Sequence, residues 1–158
     1  MFINVSIQTP DDRDPCCEVC PQFWTRFGRY CYRLFSILRT WDAAEDHCQT
    51  FFNPSGIAHL ASVHSEQENH YLFELQRTQL LRLSNDVRYI QTWIGLKDDN
   101  WCDGSRTHFR YKWSGAPTAH PCTFMQELVD GTNGWNKAAS NVNYGRSYIC
   151  QLPVNEGN

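Results

Sequence analysis

The first periodic stretch of the chain is "RYCYRLF", Arg29 to Phe35, in which aromatic and charged side chains alternate. That period of two predicts a strand. The period then changes. In "TWDAAEDHCQTFF", Trp41, Ala44, Cys48 and Phe51 recur at helical spacing, acids fill the first turns, and Thr40 can cap the start. Asn53-Pro-Ser-Gly is the stop signal. "AHLASVHS" predicts a short half-buried strand. Ser65 and Glu68 then form a Ser-x-x-Glu capping box for a second helix, with Leu72 and Leu75 or Gln76 on one face. Arg77 to Tyr89 either extends that helix or forms an insertion. "TWIGL", Thr92 to Leu96, is continuously apolar between polar flanks, the pattern of a central strand. Beyond Lys97 the chain is loop-rich. "TFMQEL" and "RSYICQL" predict two further strands, with a turn at "DGTNGW" between them. Two helices, several strands and a long irregular region make an α+β domain.

Length and composition narrow this further. A chain of 158 residues, 41% hydrophobic and 14% aromatic, can bury one core. A formal charge of −3 gives no reason to expect nucleic acid or an anionic membrane as partner. No apolar run approaches the length of a membrane span. The N-terminal residues do not read as a signal peptide as written, and residues 1–19 read as an unpacked arm.

The eight cysteines, Cys16, Cys17, Cys20, Cys31, Cys48, Cys102, Cys122 and Cys150, set the compartment. Their even number and wide spread read as a disulfide framework in a secreted, extracellular protein. Cys17-Glu-Val-Cys20 has the spacing of half a zinc site, but no second closely spaced pair follows it. Asn4-Val-Ser6, a glycosylation sequon, fits secretion.

Cys20-Pro-x-x-Trp24, Tyr30-Cys31-Tyr32, Trp41-x-x-Ala44 with Cys48, "HLASVHSEQEN", Trp93-Ile-Gly-Leu96 and Tyr148-Ile-Cys150 together resemble the C-type lectin-like domain over residues 20–152, leaving 153–158 as a tail. The resemblance implies two helices, two small antiparallel sheets and a long loop that carries the ligand site. It also implies the pairs Cys20–Cys31 and Cys48–Cys150. Most of the family pair the cysteine at Cys122 with one about eight residues before the last cysteine, and "AASNVNYGRSYIC" has none there. Cys102 is the remaining cysteine within the domain, so a Cys102–Cys122 bond is expected. Cys16 and Cys17 are then left to link two chains. Adjacent cysteines rarely bond each other.

The same resemblance places the site. Trp101-x-Asp103-Gly104-Ser105 resembles the turn into the long loop, and Tyr111-Lys112-Trp113 the aromatic stretch before the sugar motif. Ala116-Pro117-Thr118 falls where sugar-binding members carry Glu-Pro-Asn or Gln-Pro-Asp. His120 falls near a further Glu, and Trp135-Asn136-Lys137 falls on Trp-Asn-Asp. In those lectins these groups hold calcium, which chelates two sugar hydroxyls. Calcium wants six to eight oxygens, several of them carboxylates. Ala116 has no oxygen, His120 offers nitrogen, Lys137 brings a positive charge, and only Asn136 is unaltered. No metal or other cofactor is therefore expected at the loop.

What remains is Trp113, Ala116, Pro117, Thr118, His120, Asn136 and Lys137, a mixture of apolar faces and hydrogen-bonding groups suited to a neutral, N-acetylated sugar. Trp93 and Trp101 read as core, and Trp113 and Trp135 first as supports of the loop. His59, His64 and His70 show no ligand-like spacing, and Asp98-Asp99 reads as a solvated loop. The resulting expectation is a secreted, calcium-independent lectin, a disulfide-linked homodimer able to agglutinate. The alternative is a non-sugar module for protein, mineral or ice. No Ser–His–acid order, paired-carboxylate motif or phosphate loop suggests an enzyme.

Overall fold

The computed structural model describes residues 20–80, 90–113, 119–128, 130–140 and 145–156. The elements run β1 (Thr25–Phe27), β2 (Tyr30–Arg39), α1 (Trp41–Cys48), β3 (Phe52–Asn53), β4 (Gly56–Ile57), β5 (His59–Leu60), α2 (Glu66–Leu80), β6 (Ile90–Lys97), β7 (Asn100–Trp101), β8 (Cys122–Glu127), β9 (Asn133–Ala138) and β10 (Arg146–Pro153). Residues 81–89, and with them most of the Arg77–Tyr89 segment, lie outside the described residues, as does the arm 1–19 with Cys16 and Cys17.

The predicted caps form. Thr40 Oγ1 accepts from Ala43 N at 3.2 Å, and Ser65 Oγ from Glu68 N at 3.1 Å. The Glu68 carboxylate reaches back to His64 N at 2.6 Å. α1 is shorter than its period suggests. It ends at Cys48, and Phe51 packs instead as a loop residue edge-on to Trp24, at 5.2 Å between ring centroids. Asn53-Pro-Ser-Gly becomes the turn of the β3–β4 hairpin rather than a helix stop. Only His59–Leu60 of "AHLASVHS" pairs as strand, while Ala61 and Val63 are buried outside it.

The strands form one eight-stranded sheet of order β1-β2-β10-β6-β8-β9, with β5 added to β10 and β7 to β6, beside the small β3–β4 pair. Two antiparallel groups are thus fused where β10 runs parallel to β6, through Ser147↔Thr92 and Tyr148↔Trp93. The helices cover opposite faces. Trp93, Tyr148, Cys150 and Leu152 join Trp41, Ala44 and Cys48 of α1 in one cluster. Ile94, Leu96, Met125, Trp135 and Ile149 join Leu72 and Phe73 of α2 in the other. This is why "TWIGL" is apolar without alternation: a strand buried on both faces has no solvent side.

The disulfides Cys20–Cys31 and Cys48–Cys150 are present, with Cα–Cα distances of 5.6 and 5.4 Å. The second ties α1 to β10 across 102 residues. It removes on the order of 4–5 kcal/mol of unfolded-chain entropy in the loop-closure model.

One expectation is corrected. Cys102 and Cys122 are not bonded but are both free thiols. Strand register separates them. Cys102 follows β7 and points its Sγ at Glu45 Oε1 (3.4 Å) and Leu60 O (3.6 Å), whereas Cys122 pairs with Lys97 and Ala138 and shares a hydrogen bond with Ser140. β10 includes Pro153, and Val154 is buried, its N–H donating to Arg29 O at 3.0 Å.

Candidate functional site

The long loop leaves β7 after Trp101 and returns at β8. Its outgoing end is pinned by Asp103, which accepts from Ser62 Oγ at 2.6 Å and from Ser105 N at 2.9 Å. Burial pushes the pKa of this carboxyl up. The hydrogen bonds from Ser105 and Ser62 outweigh that and hold it below the ordinary 3.8. The middle of the loop is laid along β9. Trp135 N donates to Lys112 O at 2.9 Å, and Tyr111 Oη to Asn133 Oδ1 at 2.8 Å. Trp135 is fully buried beneath it, edge-on to Trp101 at 5.9 Å and against Phe109 and Tyr111 at 6.1 and 6.2 Å. Trp93, Trp101 and Trp135 are therefore framework, as expected.

Trp113 is only half-buried and forms an isolated bridge to Trp135. Lys137 Nζ lies over its ring, 5.2 Å from the centroid, and 3.0 Å from Asp99 Oδ1. Asp98 and Asp99 form the two-residue turn of the β6–β7 hairpin, with φ of 51° and 62°. Such a turn needs left-handed backbone at both central positions, which Asp tolerates better than most residues. The turn carries Asp99 to the end of β9, where its carboxylate meets Lys137, while both aspartates stay exposed.

Not all predicted residues converge. Successive strand side chains point to opposite faces, so Lys137 shares the Trp135 face of β9 while Asn136 takes the other. There Asn136 sits across from Phe124, and its Nδ2 donates to Gln126 Oε1 at 3.4 Å. Its Oδ1 accepts from Lys137 N at 2.8 Å. His120 is exposed just before β8. Ala116, Pro117 and Thr118 lie outside the described residues. The donor set does not suit calcium. Asp99 is engaged by an ammonium, the Asn136 amide oxygen is taken by backbone, and Ala116 supplies no oxygen.

A second grouping was hidden by sequence distance. Glu45, His59 and Cys102 bring a carboxylate oxygen, an imidazole nitrogen and a sulfur within 4.8 Å of one another. The one available signal was Glu45 itself, which falls four residues after Trp41 on the apolar face of α1. An acid there needs partners.

No family model matches the chain. Echinoidin from Heliocidaris crassispina is 34% identical over 152 residues, covering 85% of this chain and 97% of that protein. An alpha-N-acetylgalactosamine-specific lectin from Patiria pectinifera is 32% identical, covering 90% and 86% respectively. The crystal structure of CEL-IV superposes with a TM-score of 0.71 at 31% identity, covering 85% of this chain and 94% of the other. With the helix order, the two disulfides and the loop supported on Trp135, these likenesses establish that the chain belongs to the C-type lectin-like domain family.

Proposed function

We propose that this chain is a secreted, non-enzymatic carbohydrate-binding protein that holds its sugar without a calcium bridge, and that N-acetylated hexosamines are its ligand class. The observation that carries this reading is the placement of Lys137: its ammonium lies between the Asp99 carboxylate and the Trp113 ring. On this reading the tethered ammonium takes the role that a metal ion plays in calcium-binding members of the family. It can donate hydrogen bonds to sugar hydroxyls or to an acetamido oxygen, while the Trp113 face packs against ring C–H groups or the acetamido methyl. His120, Ala116, Pro117, Thr118 and Asn136 are assigned to the same site on the family resemblance alone. The sugar named for the Patiria pectinifera relative supports the choice of an N-acetylated ligand.

Direct hydrogen bonds each contribute about 0.5–1.5 kcal/mol net, so a single site binds weakly, with Kd roughly millimolar. The arm supplies the remedy. Cys16 and Cys17 link two chains, and two sites on one dimer gain from effective concentration and can agglutinate glycan-bearing surfaces. Non-reducing electrophoresis checks this: the dimer is expected, and a band only at the 18.5 kDa monomer excludes it.

The direct test is a glycan panel run with calcium and with a chelator. N-acetylhexosamine binding is expected in both. Binding abolished by chelator refutes the metal-free mechanism, and no binding to any sugar returns the chain to the non-sugar class.

A further inference from the structure

Glu45, His59 and Cys102 come from α1, β5 and the residue after β7, and nothing in the sugar-site reading uses them. Their polar atoms face one another. Glu45 Oε2 lies 2.7 Å from His59 Nδ1, and the Cys102 thiol is 3.4 Å from Glu45 Oε1. The carboxylate is fixed from outside the group by Leu60 N, 2.8 Å from Oε1, and by Gln49 Nε2, 2.8 Å from Oε2. Gly95 makes room for the sulfur. A Cβ on that residue would stand 2.7 Å from Cys102 Sγ and 2.5 Å from Leu60 O.

We infer that Glu45, His59 and Cys102 form a binding site for a borderline-soft divalent cation of the zinc class. One thiolate, one imidazole and one carboxylate are the ligand types such an ion prefers, and three protein ligands leave a fourth position for water. Metal–ligand bonds of about 2.0–2.3 Å at tetrahedral angles place ligand atoms about 3.3–3.5 Å apart. The sulfur meets Oε1 and the imidazole meets Oε2, so the carboxylate can bind through either oxygen or both. The three ligand atoms, all within 4.8 Å of one another, adjust to that spacing as the metal replaces the hydrogen bond between His59 and Glu45. His59 keeps 23% of its side chain exposed, so the ion can enter from its side. The outer contacts from Leu60 N and Gln49 orient the carboxylate as hydrogen-bonding partners do around bound metals.

The protons balance simply. Cys102 loses its thiol proton to solvent as the metal–sulfur bond forms, and His59 presents the Nδ1 lone pair, with any proton held between it and Glu45 displaced. Burial and the neighbouring Glu45 push the Cys102 thiol pKa up, so the metal must overcome a thiol that stays protonated without it. Calcium, a hard ion, has no use for the sulfur or the nitrogen.

The test titrates the full-length chain, free of reductant, with cobalt(II) and then zinc. A thiolate-to-cobalt charge-transfer band in the near ultraviolet is expected, and zinc should abolish it. Cys102→Ser should lose the band with its circular dichroism and melting temperature retained. His59→Gln should weaken zinc competition. Cys122→Ser, which removes the other free thiol of the domain, should leave the band in place. A native protein without the band overturns the inference, and so does a band that persists in Cys102→Ser or vanishes in Cys122→Ser. None of these readouts involves sugar, so they stand or fall apart from the proposed lectin activity.

Discussion

Trp135 Nε1 donates a 3.0 Å hydrogen bond to Asn69 Oδ1, joining the indole that supports the long loop to the core side of α2. Both residues are buried, so among the described residues this bond satisfies the indole N–H away from solvent. Asn69→Ala leaves that donor unpaired, at a cost of about 1–3 kcal/mol. Thermal unfolding should show a drop of several degrees. Trp135→Ala should cost about 3–5 kcal/mol. An Asn69→Ala protein melting with the native one would mean the bond contributes little.

Lys137→Ala separates site from fold. The ion pair with Asp99 is partly exposed, since Asp99 keeps 59% of its side chain accessible, so its loss should change stability by no more than about 1 kcal/mol. Sugar binding should nevertheless fall several-fold. Asn136→Ala should weaken binding less than Lys137→Ala and without unfolding, because its amide lies on the other face of β9 and bears on the site only through its hydrogen bond from Lys137 N. Equal affinity for the native protein and Lys137→Ala, measured by sugar titration, would remove the tethered ammonium from the mechanism.

His47 gives a pH dependence with a definite sign. Arg39 Nε donates to Tyr148 Oη at 3.1 Å, leaving the hydroxyl proton for His47 Nδ1 at 2.6 Å. Burial, then the charges of Arg39 and Arg33, hold the His47 pKa below the ordinary 6.5. The unfolded chain therefore takes up this proton first as pH falls. The His47 contribution to stability is complete above pH 6.5 and is lost between 6.5 and the lower folded value. Denaturant unfolding from pH 7.5 to 5.5 should fall less steeply in His47→Gln than in the native protein. Matching slopes would show that His47 does not titrate below its unfolded value.

The thiols at Cys102 and Cys122 should resist alkylation in the native state and react fully in denaturant without reductant. Burial pushes both pKa values up, Cys122 to about 11. Mass mapping that finds either residue in a disulfide would contradict this arrangement. Cys122 owes its free state to its neighbours. Across the strand it meets Ala138, and its side-chain partner is Ser140, so no second sulfur is within reach on β9.

Much of the fold was legible because its cues are local. Thr40 and Ser65 cap helices through atoms three residues away, and the apolar run Thr92–Leu96 marks a doubly covered strand. The end of α1 and the β3–β4 hairpin were not legible, because Phe51 keeps the helical period while serving a loop position against Trp24 and Phe35. β9 carries only a weak pattern. Asn133, Gly134, Asn136 and Lys137 are poor strand formers, and their strand exists through pairing with β8.

By itself the sequence determined the family, and through that resemblance it implied the Cys20–Cys31 and Cys48–Cys150 pairs and the replacement of acidic residues at Ala116, His120 and Lys137. Motif order along the chain carries that much. Tertiary structure decided which side chains meet. Lys137 reaches Asp99 across the start of β8, where Cys122 pairs with both Lys97 and Ala138 and the two-residue turn after Lys97 projects Asp99. Asn136 and Lys137, neighbours in the chain, part because a strand sends successive side chains to opposite faces. Glu45, His59 and Cys102 converge across up to 57 residues because β5, α1 and β7 pack around the bare backbone of Gly95. Contacts of that kind are set by packing and register, and no local pattern in the chain encodes them.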